Sequence, residues 1–178
     1  TYVGNFYGPR SPEPFLKALQ LLRNEMDIDK KIKVKLIGIF RTAKRLISVY
    51  GLNKTVQLIS TVPKKDIFRY IFNSDVLLLI DAPSDRESVF LPSKLLEYIN
   101  VKKPILAIVP AGASADIVRA TNTGTVIALD DIEGIKKAIK NYYELYENSK
   151  LEVNPNWDEI KKYDAKNCTE ALIKIAES

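Results

Sequence analysis

The chain has 178 residues, 46% of them hydrophobic, enough for one domain with a real core. Its single cysteine, Cys168, excludes an internal disulfide, and the lack of any histidine excludes Ser-His-Asp, Cys-His and histidine-ligated metal chemistry within the chain. The net charge of +5, from 27 basic and 22 acidic residues, is spread along segments such as 133–150 where lysine mixes with glutamate, so it reads as a solvated surface and not as a compact nucleic-acid face.

Short apolar runs alternate with longer amphipathic stretches from end to end. Residues 1–4 (Thr1-Tyr2-Val3-Gly4) read as a buried strand entering a turn, and a chain that opens inside such a strand is expected to have lost an upstream region. After the loop 5–12, a helix is expected over 13–26, with Phe15, Leu19 and Leu22 at helical spacing. Strands at 32–39 and 56–60 flank a helix at 42–50; a helix at 64–73 carries Ile67, Tyr70 and Ile71 on one face. The run Val76 to Ile80 is the most apolar strand, and at five residues it falls far short of the ~20 that cross a bilayer.

Beyond the loop 81–92 the pattern continues with a helix at 93–100, a strand at 105–109, a helix at 113–121, a strand at 125–128 and a helix at 131–148. Tyr142 and Tyr143 are expected to divide between core and surface there. A polar link with Pro155 leads to a last helix over 157–176, which Trp157 and Tyr163 are expected to pack against the domain. Cys168 on it has no base to make it a nucleophile.

Repeated strand–helix units impose right-handed crossovers and a parallel sheet covered on both faces. The expected fold is therefore α/β: a three-layer, doubly wound, Rossmann-like parallel sheet of about six strands, ordered 3-2-1-4-5-6, with a C-terminal helix, as one domain over 1–178. In such sheets ligands bind outside the carboxyl ends of the strands, where the order reverses between strands 1 and 4. That rule selects the loops 5–12 and 81–92.

The first loop reads Gly4-Asn5-Phe6-Tyr7-Gly8-Pro9-Arg10-Ser11-Pro12. Gly4 and Gly8 allow close backbone approach, the helix start attracts anions, and Arg10 is either a phosphate contact or a solvated side chain. No G-x-G-x-x-G is present, which argues against a nicotinamide-dependent oxidoreductase. The second loop ends in Pro92-Ser93-Lys94-Leu95-Leu96-Glu97-Tyr98. Ser93 is expected to cap the next helix, and Glu97 falls one turn later on the same face, where a carboxylate either accepts from both hydroxyls of a ribose or is merely a solvated helix residue. Asp81 alone is not the acidic cluster of a phospho-acceptor domain.

The segment Pro92 to Tyr98, followed by Lys103-Pro104-Ile105-Leu106-Ala107, resembles the donor-site signature of glycosyltransferase family 4, and Tyr2-Val3-Gly4 and Asn73-Ser74-Asp75-Val76-Leu77-Leu78 look similar at matching positions. The resemblance implies the C-terminal, donor-binding half of a GT-B fold, with the N-terminal acceptor domain absent from the chain. It implies a hexosyltransferase-like, retaining enzyme of polysaccharide biosynthesis that binds a nucleotide-diphosphate sugar and transfers to a saccharide or lipid-linked acceptor. By the same resemblance Glu97 holds the ribose, Gly4, Arg10, Pro92, Ser93 and Lys94 meet the diphosphate, and Phe40 and Val62 flank the base. The family's first glutamate would fall at Val89; Glu87 is the nearest carboxylate for a sugar contact and is not assigned a catalytic role. No metal or other cofactor is implied. The implied localisation is cytoplasmic, with peripheral membrane association at the inner face through the absent half, and the fragment alone is expected to transfer nothing. Two alternatives carry less: half of a GT-B nucleotide-sugar 2-epimerase, which would lack its histidine here, and a non-catalytic nucleotide-binding or interaction domain.

Overall fold

A computed structural model describes residues 1–40, 42–164, 166–169 and 173. The chain begins with β1 (Tyr2–Val3), α1 (Glu13–Arg23), a one-turn α2 (Ile28–Lys31), β2 (Val34–Ile37), α3 (Ala43–Val49), β3 (Val56–Ile59) and α4 (Lys64–Phe72). It continues with β4 (Leu77–Ile80), α5 (Ser93–Tyr98), β5 (Ile105–Ile108), α6 (Ala113–Ala120), β6 (Gly124–Ile127), α7 (Ile132–Glu147) and α8 (Trp157–Lys161). Every strand pairing is parallel: β1 on β2 with Tyr2 beside Leu36, β2 on β3, β4 on β5 with Leu77 beside Ile105, and β5 on β6.

The two three-stranded ladders meet at β1 and β4. Leu78 N–H donates to Thr1 O at 2.8 Å, and the Thr1 nitrogen donates to Val76 O at 2.8 Å. The strand order is thus 3-2-1-4-5-6, and it reverses between β1 and β4 as the sequence pattern predicts. β1 is only two residues long because Gly4, at φ 133°, turns the chain out of the sheet.

The apolar runs read as strands because both faces are covered, and alternate residues feed two separate cores. Leu78, Ile80, Leu106 and Ile108 pack with Leu16, Leu19, Ile135 and Ile139 of α1 and α7 on one face. Leu77, Leu79, Ile105 and Ala107 pack with Leu95, Tyr98, Ile117 and Val118 of α5 and α6 on the other. The three-layer architecture follows from that alternation.

Most elements agree with the sequence reading to within a residue or two at each end. The strand expected over 32–39 is trimmed to Val34–Ile37, leaving Ile39 exposed. The one-turn α2, anchored by the buried Ile28, is too short to show a helical period. Trp157 does not anchor the last helix: it is 37% exposed, with Lys102 Nζ 5.4 Å above its ring, and Ile160 with Tyr163 does the packing. Of the helix expected over 157–176, α8 and residues 166–169 are helical, while 165, 170–172 and 174–178 lie outside the described residues. Tyr142 packs on the α1/α7 core and Tyr143 lies beneath Lys31, so the pair divides as expected. Among the described residues no helix is long and apolar enough to cross a membrane.

One buried hydrogen bond aligns α5 with the junction: Val3 N–H donates to the Tyr98 hydroxyl at 3.1 Å, and Tyr98 is fully buried. Tyr98→Phe strands that amide, so unfolding by urea should show a loss of about 1–3 kcal/mol, the cost of an unsatisfied buried donor.

Candidate functional site

The carboxyl ends of β1 and β4 release the loops that form the site, and the helices behind them decide what enters it. Arg10, from the β1–α1 loop, is buried at 8% exposure, and its Nη2 lies 3.5 Å from Asp81 Oδ1 at the end of β4. The solvated alternative for Arg10 is therefore corrected: the rings of Tyr7 and Phe90, each 5.2 Å from the guanidinium carbon, cover it. Arginine tolerates this because its weakly hydrated plane stacks on aromatic faces. Its Nε is buried without a hydrogen-bond partner.

Lys94 comes to the same place from α5. Its stem is partly exposed, but its ammonium is buried, has no partner and sits 4.0 Å over the Tyr2 ring. A side chain begun at Gly4 would lie 2.6 Å from this Nζ, so it would displace the ammonium from its present position. Burial, followed by the charge of Arg10, lowers the Lys94 pKa to about 7, and Asp81 pulls it back only in part. Tyr2 completes the floor, stacked on Phe6 at 4.5 Å.

The site therefore holds two cationic groups against one carboxylate, with a buried N–H on each cation unused. Such an arrangement is costly when empty and favourable around an anion with several acceptor oxygens. The amides of Ser93 and Lys94 open α5 ahead of its first turn bond, Leu95 N–H to Pro92 O at 2.9 Å, and add partial positive charge.

The remaining expectations divide. Ser93 is not a cap: Pro92 holds that position in an extended conformation and Ser93 is the first helical residue, with no side-chain cap bond. The proline fixes φ and removes an amide that would otherwise need an acceptor, so the helix starts without one. Glu97 lies on α5, partly buried. Phe40 packs against Phe6 at 5.3 Å, beside the Tyr2 floor, whereas Val62 packs with the core on the opposite face of the sheet. Glu87 is exposed and Val89, at 93% exposure, stands fully in solvent.

Three contributors have no role assigned to them by sequence. Asp81 was visible as a charged residue ending a wholly apolar strand, but its partner was not. Ser114, at the start of α6, donates to Asp81 Oδ2 at 2.7 Å. Gly112, at φ 120°, lets Ser88 form a parallel bridge to it, with Ser88 N–H on Ala111 O and Ala113 N–H on Ser88 O, both 2.8 Å. A side chain at Gly112 would begin 2.2 Å from Ser88 O, so only glycine closes that latch.

Known proteins share the fold of this chain. A family model described as "Glycosyl transferases group 1" matches residues 1–157. No curated protein matches the chain by sequence. Among solved structures, the chain superposes on a TarM mutant of S. aureus, in complex with fondaparinux, alpha-GlcNAc-glycerol and UDP, with a TM-score of 0.71 at 13% identity, covering 99% of this chain and 35% of that one. It superposes on HepE of Anabaena, in complex with UDP and glucose, with a TM-score of 0.69 at 16% identity, covering 99% and 48%. For WaaG, a glycosyltransferase involved in lipopolysaccharide biosynthesis, the values are 0.65 and 20%, covering 91% and 41%. The chain thus spans less than half the length of each, and at these identities the likeness is one of fold.

An unpaired buried ammonium makes a checkable statement about stability. The unfolded Lys94 titrates near its ordinary 10.5 and the folded one near 7, so folding is penalised in full below pH 7 and the penalty fades as pH rises toward 10.5. Lys94→Met should therefore be more stable than the parent at pH 6, and the two thermal midpoints should converge by about pH 10.

Proposed function

The chain belongs to the group 1 glycosyl transferases, and from that premise we propose that it is the donor-binding domain of such an enzyme, taking a nucleoside-diphosphate sugar at the carboxyl ends of β1 and β4. The observation that carries this reading is the pair of buried cations, Arg10 and Lys94, each with an unused N–H beside a glycine-opened loop. A diphosphate supplies both the charge and the oxygens these groups lack. Glu97 follows on the same helix, one turn beyond Ser93, at a place suited to the ribose hydroxyls; Phe40, beside the Tyr2 floor, is offered for the base, and Val62 only through a different surface.

In transfer, charge grows on the departing diphosphate as the glycosidic bond breaks. Donors already fixed around that position stabilise the transition state more than the ground state. Arg10, Lys94 and the first amides of α5 fill this role in the proposal, so no metal ion is required. The acceptor, a saccharide or a lipid-linked saccharide, is assigned to a further domain, in keeping with a chain that covers 35% to 48% of its structural neighbours. The domain alone is then expected to bind donor and transfer nothing, and any contact with a membrane would be made by that further domain. The neighbours solved with UDP support trying a uridine donor first.

Two outcomes test the reading. Calorimetric titration with UDP and UDP-glucose should show binding that Glu97→Ala weakens and Lys94→Met reduces on the order of tenfold or more, the loss of one charge-assisted contact; no binding of UDP, GDP or ADP would refute it. Lys94 must also take up a proton as the anion arrives, because its pKa in the empty site is only about 7. UDP-glucose affinity should accordingly fall between pH 7.5 and 9, by at most about tenfold per pH unit, and stay flat over that range in Lys94→Met.

A further inference from the structure

We propose that Asp81 is a positioning residue for the anion site: it fixes the Arg10 guanidinium and, through Ser114, is itself fixed by α6. The inference rests on the donor-site reading and adds to it the group that sets the geometry of the arginine.

A carboxylate is an unexpected neighbour in a site built to hold an anion, because it repels the ligand. Asp81 is 2% exposed and stands at the end of β4, where its backbone N–H still bonds Ile108 O at 3.2 Å. Its two oxygens are used differently. Oδ2 accepts from Ser114 Oγ at 2.7 Å, and Oδ1 faces Arg10 Nη2 at 3.5 Å. Ser114, 3% exposed, has one hydroxyl proton, and Phe90 O lies 3.3 Å from the same oxygen, so the carboxylate takes the shorter bond. The serine therefore sets the rotation of the carboxylate, which cannot turn without losing that bond.

Apart from the Tyr2 hydroxyl, which interacts with it, Arg10 has few other restraints. The rings of Tyr7 and Phe90 lie against the guanidinium, but both are substantially exposed and neither fixes its rotation within its own plane. Asp81 does, through one long contact that leaves Nε buried and unpartnered. A single loose ion pair of this kind contributes little to stability once desolvation is counted. Its effect is to hold one nitrogen back so that the others stay aimed at the site. Preorganisation of this sort avoids the ordering cost when ligand arrives.

The proposal gives an effect opposite in sign to simple electrostatics. Removing a negative charge beside an anion site should tighten anion binding; removing the restraint on Arg10 should weaken it. Asp81→Asn, nearly isosteric, and Ser114→Ala, which leaves every charge in place, separate the two. With UDP as probe and uridine as control, both variants are expected to weaken UDP binding several-fold, up to about tenfold, with uridine affinity unchanged. In an Arg10→Gln background Ser114→Ala, which leaves the charge of Asp81 on Lys94 in place, should not weaken UDP further, since its effect acts through that arginine. UDP binding that is equal or tighter in the variants, or an equal loss for uridine, or a persisting loss from Ser114→Ala in the Arg10→Gln background, overturns the proposal. Should Asp81→Asn fail to fold, Ser114→Ala and its cycle with Arg10→Gln decide by the same outcomes. A parent chain that binds neither UDP nor inorganic pyrophosphate defeats the donor-site reading itself, and this inference with it.

Discussion

Two cations and one carboxylate share a buried space where β1 and β4 end, and the surrounding structure is arranged to make that tolerable. Arg10 and Lys94 repel each other, and burial denies them the water that would soften the repulsion. Aromatic rings stand in for part of that solvent: Tyr2 under Lys94, Tyr7 and Phe90 beside Arg10. Asp81 offsets one charge and leaves the other unmet. The donors are useful because their positions are set before any ligand arrives, while Lys94 gains its full charge as the anion enters.

That local imbalance depends on features far from the charges. The β1–β4 junction brings the two loops together, and the bond from Val3 to Tyr98 sets α5 against β1 so that Lys94 reaches over Tyr2. Gly4 leaves the space that the ammonium enters. The alternating sides of β4 and β5 feed two cores, and α1, α5 and α6 rest on those cores as platforms for the site. Packing and binding are thus parts of one arrangement: rigid layers hold side chains in positions that free side chains would avoid.

Much of this was readable from the residues. Uninterrupted Val, Ile and Leu runs separated by amphipathic stretches specify parallel strands covered on both faces, and six such strands suit the doubly wound order with its reversal point. The Pro92 to Glu97 segment and the Arg10 loop could be selected because that reversal point directs attention to them. What escaped was pairwise. Nothing local in the sequence tells that Asp81 meets both Arg10 and Ser114, residues 71 and 33 positions away. The burial of Arg10 was hidden for the same reason, since the rings that cover it lie on two different loops. Ser93 is not the cap because the preceding proline holds that position, and Trp157 is not the anchor because Ile160 and Tyr163 do the packing.

The bridge between Ser88 and Gly112 divides the long β4–α5 loop into two parts with different evolutionary freedom. Residues 88–92 are held to the β5–α6 turn, so the distance from the bridge to Lys94 is set, and a residue gained or lost there would shift the lysine relative to Tyr2. Residues 82–87 lie ahead of the bridge and are mostly exposed. Insertions and deletions can accumulate in that stretch without disturbing the anion site. Descendants of this fold could therefore lengthen, shorten or recharge the outer part of the loop, and so exchange what it touches, while keeping the same seat for the ligand's charge.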